Sequence, residues 1–93
     1  MVQVFNNSPS AGYISWKDCN ISYKGQTYSI PDGNTNLIYV YWKFSDPDGF
    51  YGSDVYPTLA EDDLLVFLNK NGIHLKVPNT TIIDGSLIVP ESI

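Results

Sequence analysis

Over most of this chain, apolar and polar side chains alternate with the two-residue period of a strand that buries one face. Residues 12–16 and 18–24 begin the pattern: Ile14 and Trp16 share one face, and Cys19, Ile21 and Tyr23 share another. Gly25-Gln26 reads as a hairpin turn into a short strand at 27–30. Pro31-Asp32-Gly33-Asn34 is a turn in which Gly33 can take positive φ. The clearest strand is 37–44. Its Ile38, Val40, Trp42 and Phe44 make a core face, whereas Leu37, Tyr39, Tyr41 and Lys43 make an amphipathic one suited to a half-wet surface or a subunit contact. Residues 45–52 carry turn formers at almost every position and read as a loop. Residues 6–11 read as a lead-in without structure of its own.

Two readings compete over 58–72. Thr58-x-x-Glu61 has the form of a capping box, and Asn71-Gly72 could close a helix. Against this, Leu64-Leu65-Val66-Phe67-Leu68 is an apolar run of strand length with no polar helical face. Asn71-Gly72 also fits a hairpin turn into the alternating Ile73-His74-Leu75-Lys76-Val77. With no other helix candidate, strands are the consistent choice. The expectation is an all-β fold, a small antiparallel β-sandwich or barrel-like domain over 12–77, preceded by a lead-in (1–11).

The tail, 78–93, is expected to be an extended segment. Ile82, Ile83, Leu87, Ile88, Val89 and Ile93 make it too apolar for a linker, but Asp84-Gly85 and Pro90 break every period. Burying those side chains gains about as much as ordering the backbone costs, so the tail orders only against its own domain or against other copies. Ile82, Ile83, Leu87, Ile88 and Ile93 are the candidate oligomer contacts, with Asp84 and Gly85 shaping the turn between them.

Composition narrows the partners. The 93 residues suit one core, and hydrophobic content of 43% against 16% charged excludes wholesale disorder. Net charge is −5, there is no arginine, and the five lysines are scattered, so a phosphate backbone or an anionic membrane is a poor partner. The longest apolar run, 37–42, is too short for membrane insertion, and the N-terminus does not read as a signal peptide. Cys19 has no second cysteine to pair with and reads as a small buried side chain of a protein made in a reducing cytosol.

Candidate chemistry is sparse. His74 is expected to face outward from its strand, opposite the aliphatics, and no nucleophile elbow accompanies it. Glu61-Asp62-Asp63 reads as a solvated acidic cluster guarding the apolar strand that follows. Asp46-Pro47-Asp48-Gly49 begins like a calcium loop, but Pro57 stands where the closing Glu belongs. No catalytic residue, metal site or cofactor is expected. The more serious candidate is a sugar site: Phe50, Tyr51 and Tyr56 can stack on sugar rings while Asp46 and Asp48 bond hydroxyls. Trp16 and Trp42 fall on core faces instead.

The order of the segments carries a resemblance. Gly12-Tyr13-Ile14-Ser15-Trp16, then Ile21-Ser22-Tyr23-Lys24-Gly25-Gln26-Thr27-Tyr28-Ser29-Ile30, then Tyr39-Val40-Tyr41-Trp42 form one series. Asp62-Asp63-Leu64-Leu65-Val66-Phe67-Leu68-Asn69 and Ile82-Ile83-Asp84-Gly85-Ser86-Leu87-Ile88 complete it. Over residues 12–93 the chain resembles a β-rich module of tail-tip and tail-fibre proteins of long-tailed bacteriophages. The resemblance implies a virion component that forms a homo-oligomer, by preference a trimer, in a device for host recognition. Its receptor would be a host cell-surface glycan or protein. Pro90-Glu91 departs from the small residues usual there, and the chain stops at Ile93 where a fibre would continue: either an excised fragment or a short protein using the module alone. The alternative reading is a carbohydrate-binding module attached to a cell-wall-active enzyme.

Overall fold

At Asp18 the backbone turns left-handed (φ 53°), and there a long run of strand passes from one sheet into another. The computed structural model describes residues 3–77, 81–83 and 86–88, the last two segments as backbone. Before the bend lies β2 (Ile14–Lys17) and after it β3 (Cys19–Tyr23). The return arm bends with it: β4 (Gln26–Ile30) pairs antiparallel with β3, and β5 (Gly33–Thr35) pairs antiparallel with β2. The whole is one hairpin folded over a corner, a device by which strands switch sheets. Asp32 holds the corner by accepting the Asp18 N–H at 3.2 Å, and the Trp16 indole N–H donates to the Pro31 carbonyl at 3.1 Å. The hairpin turns at Lys24-Gly25, both at positive φ, one residue earlier than expected.

Within the 1–11 lead-in, β1 (Gln3–Asn6) pairs antiparallel with β2, so β1, β2 and β5 form a three-stranded sheet. Of residues 6–11, expected to lack structure of their own, only Asn6 is strand. A further sheet has the order β7 (Asp46–Ser53), β6 (Tyr39–Lys43), β8 (Leu64–Lys70), β9 (Ile73–Lys76). The expected loop at 45–52 is therefore largely strand. Its turn formers are absorbed by a register shift that takes Phe50 opposite Trp42 but Asp46 opposite Lys43, and the bulged Pro47 carbonyl accepts the Trp42 indole N–H. The strand reading of 64–70 holds, and a second shift leaves Val66 between the partners of Val40 and Tyr41. Val66 and Phe67 are consequently both buried, which explains an apolar run without alternation.

Tail backbone takes partners within the chain. β10 (Thr81–Ile83) pairs antiparallel with β11 (Ser86–Ile88), and β11 runs parallel beside β3. Among the described residues the fold is all-β, sandwich-like and without helix. The core joins Ile14, Trp16, Cys19, Ile21, Tyr23 and Ile30 of the bent hairpin to Val40, Trp42, Val66 and Phe67. Edge-on aromatic contacts stitch the sheets together: Tyr23 to Trp42 at 5.8 Å and Trp16 to Phe50 at 5.4 Å. Trp16, Trp42 and Cys19 are core residues, as their alternation predicts.

Candidate functional site

β7 and β8 flank β6, and both run antiparallel to it, so the connection between them must cross β6. Tyr56 of that connection packs edge-on against Tyr39 at 5.4 Å, on the face of β6 opposite Val40 and Trp42. Residues 54–56 therefore rise beside the outer face of this sheet; Val55 and Tyr56 are 72% and 65% exposed, while Pro57 tucks inward.

Beside Tyr56 the outer face opens into a groove of about 350 Å3 lined by Ile38, Tyr39, Leu68, Lys70 and Leu75. Register explains its character. Leu68 stands between Tyr39 on one side and Leu75 on the other, placing three apolar side chains in one row. Ile38 and Leu75 are each 43% exposed, and Ile73 is exposed as well. Two expectations are corrected here. Ile38 does not join the core face of its strand, because it precedes β6 and its carbonyl accepts the Asn69 N–H instead. The aliphatics of β9 face outward, and His74 is the half-buried member, edge-on to Phe67 at 6.2 Å. Asn6 enforces this orientation by accepting the His74 backbone N–H at 2.9 Å and lying 3.1 Å from its ring Nδ1.

The groove's polar edge is anchored. Asn69 is buried; its amide donates to the Gly12 and Thr35 carbonyls and its oxygen accepts the Gly72 N–H at 2.7 Å. One side chain thus ties together three chain segments.

The residues expected to hold sugar do not form one site. Phe50 packs into the core between Trp16 and Phe67. Tyr51 stacks on Tyr41 at 5.7 Å, lies under the Lys43 ammonium and donates its hydroxyl to Asp46, which raises the Tyr51 pKa, chiefly through that hydrogen bond. Asp48 is exposed, and Tyr56 belongs to the other end of β6. The acidic cluster is more than solvated surface: Asp62 accepts from the Tyr23 hydroxyl and pairs with Lys24 at 3.1 Å, and Asp63 accepts the Ala60 N–H.

Of the expected oligomer contacts, Ile82, Ile83, Leu87 and Ile88 fall on β10 and β11, where the backbone pairs within the chain. Ile93, Asp84 and Gly85 lie outside the described residues. The Tyr39 face of β6 reads in the sequence as a half-wet surface or subunit contact, but its apolar extent does not, because Ile38 reads as core and Ile73 and Leu75 fall opposite an outward His74. Compared with known proteins, the chain matches no family model, no curated protein and no solved structure.

Proposed function

We propose that this chain is a structural and adhesive module of a bacteriophage tail tip or tail fibre, a virion component that associates with further copies of itself and contributes to host recognition. The ordered series of motifs supports the phage reading and its threefold symmetry. The observation that carries self-association is the outer groove. Ile38, Leu68 and Leu75 present apolar surface there, and among the described residues Lys70 is the one charged residue of its lining, in a chain of net charge −5. Copies meeting at this face bring no groove carboxylates together and remove exposed aliphatics from water. No reaction is part of this reading.

Because β11 finds its backbone partner in β3, the tail does not depend on neighbouring copies for all its order. The groove takes over part of the role first assigned to Ile82, Ile83, Leu87 and Ile88. Light scattering on the purified chain tests this. A mass of several chains is expected, falling to one chain in an Ile38→Lys, Leu75→Lys double variant and persisting in a version ending at Val77. A solitary wild-type chain at high concentration overturns the reading.

A further inference from the structure

We infer that the outer face of the three-stranded sheet is a binding site for an uncharged sugar. This goes beyond the assembly reading and stands on different residues. Phe5, Ser15 and Asn34 are directly opposite one another across β1, β2 and β5, so their side chains emerge in one row. Lys17 emerges two residues further along β2 on the same face, because Ile14 and Trp16 take the inner one. With Ser8 and Asp32 these residues line a cleft of about 410 Å3, within the range of small-molecule sites.

The chemistry of the cleft is unlike that of the groove. Phe5 is 43% exposed, on a strand where it gains nothing from the core cluster. Around it, Ser8, Ser15, Lys17 and Asn34 have side chains that make no hydrogen bond to the described residues, and Asp32 has one oxygen engaged, by the Asp18 N–H. The floor is fixed: Gly33 lies against the Trp16 ring, where even a Cβ would come within 2.9 Å, and the indole N–H is already committed to Pro31.

A pyranose ring has the matching duality. Its C–H face is apolar and stacks on an aromatic ring, excluding water from both. Its rim of hydroxyls both donates and accepts, as does the set offered here: Lys17 donates, Asp32 accepts, and Asn34 and the serines do either. The opposite charges of Lys17 and Asp32 offset each other, which favours a neutral sugar over an acidic one. Because the cleft is open, affinity is expected in the millimolar range.

The test is an NMR titration of the full chain with glucose, galactose, mannose, N-acetylglucosamine and glucuronate, one at a time. At least one neutral sugar is expected to give saturable shifts at Phe5, Ser15, Lys17 and Asn34. Phe5→Ala should weaken binding about tenfold, equivalent to about 1.4 kcal/mol, while Phe5→Tyr retains it. Asn34→Ala, at an exposed position, provides a second variant should Phe5→Ala loosen β1. The inference is overturned if no neutral sugar gives saturable shifts, if glucuronate binds better than all of them, if the shifts map elsewhere, or if they persist in both alanine variants. None of these outcomes alters the mass by light scattering, so failure here is distinct from failure of the assembly reading.

Discussion

The hydroxyl of Tyr23 donates to the Asp62 carboxylate at 2.9 Å, joining residues 39 positions apart. Asp62 also pairs with Lys24 at 3.1 Å, so one carboxylate links the turn of the bent hairpin to the start of β8. Both partners favour the charged form. The Lys24 hydrogen bond, then that of Tyr23, holds the Asp62 pKa below its ordinary 3.8.

A group whose pKa is depressed on folding stabilises above its unfolded pKa, and that contribution disappears as the pH falls through the folded value. Asp62→Asn should therefore lower the melting temperature at pH 7, and the gap to wild type should narrow as the pH falls below 3.8. Thermal melts of both proteins across that range check it; a gap constant with pH contradicts it.

Asn69 carries a larger share of stability. Asn69→Ala orphans the Gly72 N–H and removes the donor to the Gly12 and Thr35 carbonyls, all near a side chain only 3% exposed. A buried polar group left without its partner costs about 1–3 kcal/mol. Urea denaturation should show a loss of that size or more, with the slope unchanged.

Gly33→Ala places a methyl group 2.9 Å from the Trp16 ring, whose indole is held by Pro31 and cannot retreat freely. Overpacking of this kind costs about 1–3 kcal/mol. Gly72→Ala should be worse, since φ of +89° strains any side chain and the new Cβ would fall on the Asn7 amide oxygen. Chemical denaturation of the two variants should rank them in that order, and Trp16 fluorescence should shift in the first.

Burial raises the Cys19 thiol to about 12, and the residue is 1% exposed. The thiolate is the reactive form, so it is scarce at neutral pH. A disulfide exchange reagent at pH 8 should fail to label the native chain and should label one thiol per chain on denaturation. Rapid labelling of the native protein would contradict the packing of β3.

Much of the fold was legible along the chain. Alternation marked Trp16, Cys19, Ile21, Tyr23, Val40 and Trp42 as buried, and Asn71-Gly72 marked its hairpin. β7 was hidden because Asp46-Pro47-Asp48-Gly49 are turn formers, and only pairing with β6 draws them into a strand with a bulge. β1 was hidden because four residues next to an Asn-Ser-Pro-Ser stretch give too short a pattern to show a period. Phe50, Tyr51 and Tyr56 are close in sequence, but a strand sends successive side chains to opposite faces, so Phe50 meets Trp16 and Phe67 while Tyr51 stacks on Tyr41.

By itself the sequence determined which side chains share a face wherever a strand forms, and where most of the strands lie, because the two-residue period is set by the covalent backbone of each strand alone. In β9, which of the two faces turns inward was decided only by tertiary structure. Ile73 and Leu75 look outward because Asn6 grips His74 from a segment 68 residues away. The corner at Asp18 likewise depends on Asp32 across the hairpin. Such choices rest on contacts between distant segments, and no local pattern of apolar and polar residues encodes them.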